Sequence, residues 1–270
     1  MHLSSFLFGV CSIQLVHSSQ CRGPQTPDEV ARFLWENSSY SLTRRTRPNL
    51  SKYLEENPME NASNAEPDII KLQMKLIAMK DVNEKRGEVE FKVNFAQRWN
   101  DYRLKHASAQ SCFSDDHREG FSFDDLRNIW VPDIIIGNMA SDPVQIASVF
   151  WVYPNGDVHY VQSLMLKLSC ELDFKQLPKD TQKCRVVLTT WRYDESSVIF
   201  DLLEKESNQS DSSREQEKSL EWMIKDVDTK IITTYAALSG KPNSVGIVSV
   251  DLERKSSYYM NFVVFPVLMM

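Results

Sequence analysis

Two cysteines, Cys170 and Cys184, enclose the thirteen residues ELDFKQLPKDTQK, with Leu177-Pro178-Lys179-Asp180 near the middle and alternating apolar stretches on either side. Such a spacing predicts two strands joined through a disulfide-closed loop. In an oxidising compartment, closing a loop of about 15 residues stabilises a fold by roughly 3 kcal/mol, mainly by restricting the unfolded chain. The loop would serve either as a staple in a secreted domain or as a stiff tip that presses on another body.

The rest of the chain supplies the oxidising compartment. Residues 1–18 read as a secretory signal, with the apolar core SFLFGVCSIQLV followed by Val16-His17-Ser18, where a peptidase would cut. Cleavage there leaves four of the five cysteines, which allow three connectivities. Cys170–Cys184 is the expected pair, and Cys21 and Cys112 are left to join each other or to stay free. Asn-x-Ser sequons at Asn37, Asn49, Asn61 and Asn208 also favour the secretory route and are candidate glycosylation sites. The net charge is −6 and no run of Lys or Arg stands out, so a nucleic-acid partner is not expected. The five histidines are scattered, and no metal spacing, carboxylate pair or nucleophile motif is present. The chain is read as a non-enzyme with no cofactor and no metal, which leaves a β-sandwich hydrolase or lectin with little support.

Thr26-Pro27-Asp28-Glu29 is a capping box with proline at the first helical position, and it predicts a short helix through VARFLWENSSY. Residues 41–67 are polar and contain proline, and are expected to form a surface loop. From Ile70 the pattern has period two. Ile70, Leu72, Met74 and Leu76 alternate with polar residues, and Val89, Phe91, Val93 and Phe95 resume the alternation after a charged turn. Pro154-Asn155-Gly156-Asp157 between apolar runs is a hairpin signal. Further strands are expected at 147–153, 158–168, 185–190, 222–235 and 245–252, with a solvated loop at 204–219. The fold class is mainly β: an antiparallel β-sandwich of about ten strands over residues 19–255 with an N-terminal α-helix. Residues 258–270, YYMNFVVFPVLMM, carry no charge. Thirteen helical residues reach about 20 Å where a bilayer core needs about 30 Å. Residues 256–270 are therefore expected to be the start of a transmembrane helix, truncated here, with a last buried strand as the alternative.

The spacing Cys-x6-Leu-Pro-x-Asp-x3-Cys resembles the signature of the Cys-loop receptors, the pentameric neurotransmitter-gated ion channels, which usually carry Phe where this chain has Leu177. Further fragments resemble the same family in the same order. They are Trp99-x-Asp101-x-Arg103-Leu104, Trp130-x-Pro132-Asp133 with Asn138 beyond, Trp191-x-Tyr193-Asp194, and Arg254 followed by Tyr258, Tyr259 and Pro266. The resemblance implies the extracellular domain of a plasma-membrane channel subunit, working as a homo- or hetero-pentamer with like subunits and binding a small-molecule agonist between neighbours. A secreted, channel-less binding protein of the same fold is the second reading, disfavoured by the apolar tail.

By the same resemblance, Trp191, Tyr193 and Tyr235 line the ligand site, where an ammonium over an aromatic face gains about 1–2 kcal/mol once desolvated. Phe150, Trp151 and Tyr153 lie on a strand that in the family faces the neighbour's pocket, and their alternation lets only some of them point there. The usual aromatic box is incomplete. Gly137 and Asn94 stand where the amine-gated members carry aromatics, Ser244 lies near the place of another, and an adjacent cysteine pair is missing. A ligand other than acetylcholine, or a subunit that contributes one face, is expected. Glu84, the loop at Leu177, Pro178 and Asp180, and Arg254 are the implied coupling elements between ligand capture and the pore.

Overall fold

The period-two stretches set the architecture, and they run further than the apolar alternation alone indicates. In the computed structural model, residues 46–105, 121–123, 129–153, 155–203, 221–236 and 239–269 are described. The expected signal peptide, the capped helix after Thr26, Cys21, Cys112, Asn37 and Asn208 lie outside them. The strands are β1 (Asp68–Asn83), β2 (Glu88–Asn100), β3 (Phe121–Phe123), β4 (Ile134–Ile136), β5 (Val144–Val152), β6 (Asp157–Ser169), β7 (Thr181–Thr190), β8 (Val198–Leu202), β9 (Trp222–Tyr235) and β10 (Pro242–Arg254). They form one sheet in the order β3-β5-β6-β2-β1-β8 and a second in the order β4-β7-β10-β9.

The result is the expected, mainly antiparallel sandwich, with one exception: β8 runs parallel to β1 at the edge of the larger sheet. Side chains alternate in and out along β2 and β7. Their inward set, including Phe91, Val93, Cys184, Val186 and Leu188, meets Phe150, Leu166 and Leu252 in one core. Trp99 and Trp130 belong to that core and meet edge to face at 6.1 Å. Trp130 also contacts Tyr193, at 6.3 Å.

One expectation for the N-terminal region is corrected. Residues 41–67 are not all loop, because helix α1 spans Pro48–Glu56. Proline is tolerated in the first turn of a helix, where its missing N–H has no intrahelical partner to lose. Tertiary contacts hold this polar segment helical. Arg47 pairs with Asp68 at 3.0 Å with both side chains buried, and the Asn49 backbone N–H donates to the same carboxylate at 3.0 Å. The Asn49 side-chain amide is also engaged, donating to the Pro67 carbonyl at 2.9 Å, whereas Asn61 is exposed.

At the other end, residues 256–268 are not a strand. Helical turns α2 (Ser256–Tyr259) and α3 (Phe265–Leu268) flank a π-helical turn at Met260–Val264. Phe262, Val267 and Leu268 are exposed. Among the described residues no helix is long and apolar enough to cross a membrane.

Phe91 is fully buried where the two sheets meet. Phe91→Ala is expected to lower the free energy of unfolding by about 3–5 kcal/mol through lost burial and a residual cavity. Equilibrium urea denaturation measures it directly.

Candidate ligand site and coupling base

The last residue of β10 organises one end of the sandwich. Arg254 pairs across the sheet with Trp222, and its guanidinium lies 4.1 Å from the centre of that ring. Its side chain is fully buried, and it meets three carboxylates from three different segments. Nε donates to Asp180 Oδ1 at 2.7 Å, Nη2 lies 2.6 Å from Glu84 Oε1, and Nη1 lies 2.6 Å from Glu221 Oε1. The backbones are joined as well: the Arg254 N–H donates to the Asp180 carbonyl at 3.1 Å, and the Lys255 N–H to the Glu221 carbonyl at 2.8 Å. The β1–β2 tip, the disulfide loop and the exit strand thus converge on one cation.

The disulfide loop is held from inside. Cys170 and Cys184 are bonded, with Cα atoms 5.1 Å apart. Gln182 is buried and bridges the loop, accepting from the Asp173 N–H and donating to the Asp173 carbonyl, each at 2.7 Å. It also donates to Asp180 Oδ2 at 2.6 Å. The loop docks on the β1–β2 tip where the Cys170 N–H donates to the Gly87 carbonyl at 2.7 Å. Gly87 has φ +66°, and a Cβ there would sit 2.9 Å from the Cys170 carbonyl oxygen, so both conformation and space require glycine. Leu177 remains 41 % exposed on the loop beside Pro178.

Burial opposes the charge on Asp180, but hydrogen bonds from Arg254 and Gln182 outweigh it and hold its pKa below the ordinary 3.8. Burial would likewise lower the Arg254 pKa, and its bonds to Asp180 and Glu84 raise it instead. Because the Asp180 pKa is depressed on folding, its contribution to stability is fully present above 3.8 and is lost as pH falls through the folded value.

The second site is aromatic and lies where β7 ends. Trp191 and Tyr235 are 78 % and 76 % exposed, whereas Tyr193 is half-buried and leans on Trp130. The three side chains therefore do not form a closed box. Asp133 positions the turn that carries Trp191. Its carbonyl accepts from the Trp191 N–H at 3.4 Å and its Oδ2 accepts from the Arg192 N–H at 2.8 Å. The β9–β10 hairpin is tied to the same turn. Lys241 pairs with Asp194 at 2.9 Å, the Glu195 N–H donates to the Pro242 carbonyl at 2.8 Å, and Thr233 Oγ1 donates to Glu195 Oε1 at 3.0 Å.

Ser244 is not on this surface. It is buried, and its hydroxyl accepts from the Phe200 N–H at 2.9 Å. Gly137 leaves room for a side chain, since an added Cβ would meet only Val187 at 3.8 Å. Asn138 is a stitch between the sheets, donating to the carbonyls of Ser169 at 3.2 Å and Arg185 at 2.6 Å.

Sequence reasoning named Glu84, Asp180 and Arg254, and the structure brings them together. It missed Glu221, Trp222 and Gln182. Glu221 lies just beyond a stretch read as solvated loop, and its one signal was its position at the start of the β9 strand. Trp222 was visible only as an apolar strand residue, and Gln182 as one polar residue among many.

Residues 43–256 match the neurotransmitter-gated ion-channel ligand binding domain family, and the chain belongs to that non-enzymatic family of Cys-loop receptor domains. Similar proteins are acetylcholine receptor subunits. The beta-type unc-29 subunit of Caenorhabditis elegans is 24 % identical over 215 residues, covering 79 % of this chain and 40 % of that one. The neuronal alpha-2 subunit of Mus musculus is 27 % identical over 154 residues, covering 55 % of this chain and 28 % of that one. The neuronal beta-4 subunit of Homo sapiens is 29 % identical over 147 residues, covering 53 % and 28 % respectively. The chain thus spans well under half the length of these relatives.

Asp180→Asn is expected to flatten the acid side of the stability profile. Unfolding free energy of the unaltered chain should fall more steeply than that of the variant as pH drops below 3.8, read by denaturant titration at a series of pH values.

Proposed function

We propose that this chain is the extracellular ligand-binding part of a pentameric ligand-gated ion channel subunit at the plasma membrane, with agonist held between neighbouring subunits. In this reading residues 1–18 are a removed signal, 19–255 the binding domain, and 256–270 the start of the first membrane helix. The observation that carries it is the Arg254 cluster, where the segment leading to that helix is bonded to the disulfide loop and to the β1–β2 tip. An agonist that binds one arrangement of the domain better than another shifts the population by its differential affinity. Arg254 passes that shift to the exit strand.

Trp191 and Tyr235 supply the principal side of the ligand site, and their exposure fits a surface completed by a neighbour. Tyr193 contributes mainly by packing on Trp130 beneath them. Of the sequons within the described residues, Asn61 is the better glycan acceptor. Its neighbour at Asn49 already spends its amide on the Pro67 carbonyl.

Two variants test the proposal in receptors that contain this chain. Trp191→Ala is expected to weaken agonist binding by about 1–2 kcal/mol, roughly 5- to 30-fold, with surface assembly unchanged. Normal binding by that variant removes Trp191 from the site. Arg254→Ala is a poor probe of coupling, because it leaves the buried Asp180 carboxylate without its partner at a cost of about 3–5 kcal/mol. Glu84 is 39 % exposed, so Glu84→Gln spares the fold. That variant is expected to reduce maximal agonist current at equal surface expression, and unchanged currents contradict the coupling role.

A further inference from the structure

The outward face of the smaller sheet carries a charged groove of about 310 Å³ that neither the ligand site nor the Arg254 cluster uses. Cross-strand register builds it. Lys183 of β7 lies opposite Asp251 of β10, which lies opposite Asp226 of β9. In the next outward row Arg185 lies opposite Ser249 and Ser249 opposite Asp228, and a third row runs Val187, Ile247, Lys230. The β7 wall is therefore cationic and the β9 wall mainly acidic, with the short Ser249 side chain as the floor between them. Two strand spacings, about 10 Å, separate the walls.

Within one copy these charges answer each other poorly. Lys183 pairs with Asp251 at 3.4 Å, which leaves Arg185, Asp226, Asp228 and Lys230 without an ion pair among the described residues. Asp226 directly opposite Asp251 is a like-charge pair, which destabilises a sheet. A second copy supplies what is missing. Turned by a two-fold axis parallel to β10 and laid face to face, it sets its β9 wall over the first copy's β7 wall. Arg185 then faces the partner's Asp228 and Lys183 the partner's Asp226, and each pairing occurs twice, as a two-fold interface requires. A two-fold axis perpendicular to the strands fails on charge, because it lays cationic wall on cationic wall. The axis along β10 also keeps both β10 strands pointing the same way, so both copies carry Arg254 at the same end. Trp191 is six residues past Arg185, about 20 Å further along the strand direction, so the contact leaves the aromatic surface open.

We propose that this face is an interface between two copies of the chain, paired about a two-fold axis along β10 through Arg185–Asp228 and Lys183–Asp226 contacts, and separate from the surface that carries Trp191 and Tyr235. A face three strands wide is small, so the contact is transient and sensitive to salt. The pairing does not need the ligand-binding reading. Only its setting rests on that reading: two assemblies side by side in one membrane must send their exit strands the same way, and this axis does so.

Sedimentation velocity of the purified chain reads the association in about 0.01 M and about 1 M salt, where screening lengths are about 30 Å and 3 Å. Reversible dimers are expected at the lower salt and their loss at the higher. Arg185→Asp and Asp228→Arg, both at exposed positions, should each weaken self-association about tenfold or more, because each variant sets like charges against one another twice. Mixed in equal amounts, the two variants are expected to form a heterodimer about as tight as the dimer of the unaltered chain. One pair is then the original, and the other is the same pair with its charges exchanged. A mixture that associates no better than either variant alone overturns the proposal, as does an unaltered chain that stays monomeric at low salt. Self-association that both reversals leave unchanged also overturns it, since the chain then meets its like through another face. None of these outcomes touches the ligand-binding reading, which Trp191→Ala tests on a different surface.

Discussion

A guanidinium withdrawn from water at the end of β10 is the constraint on which the lower half of the molecule depends. A buried charge is tolerated only when its donors are matched, and Arg254 finds its matches on three separate segments and on the face of Trp222. Each of those segments is thereby fixed relative to the exit strand. The arrangement is directional, because Asp180 is as buried as the arginine, whereas Glu84 and Glu221 are each more than a third exposed. The Asp180 pairing is the permanent joint, and the two glutamates are contacts that a shift of the hairpin tip or of the β9 start can loosen at lower cost.

The upper half follows a different rule. Trp191 and Tyr235 are held by backbone bonds to Asp133 and by the hairpin ties through Asp194 and Glu195, not by burial of their own rings. Exposed aromatic area of this kind is unstable in isolation and productive at a contact.

Much of this was legible in the residues. Period-two alternation located the long strands, and the Asn-Gly turn at 155–156 located a hairpin in which Gly156 takes φ +86°. The cysteine spacing gave the disulfide. Two things were hidden for physical reasons. Helix α1 is polar and is held by the buried Arg47–Asp68 pair, a contact nineteen or more residues away that no local pattern reports. The place of Glu221 depends on the cross-strand register that sets Trp222 opposite Arg254, and alternation fixes which face a side chain takes but not its neighbour on the next strand.

Glu84 of the hairpin tip and Asp180 of the disulfide loop bond the same Arg254 guanidinium, so the two elements should communicate energetically through it. A double-mutant cycle of Glu84→Gln and Asp180→Asn, read as unfolding free energy, measures it. Because both carboxylates bond one guanidinium, the two changes are predicted to be non-additive by about 0.5–3 kcal/mol. Additivity within about 0.3–0.5 kcal/mol would show the two elements to be independent and would contradict the account.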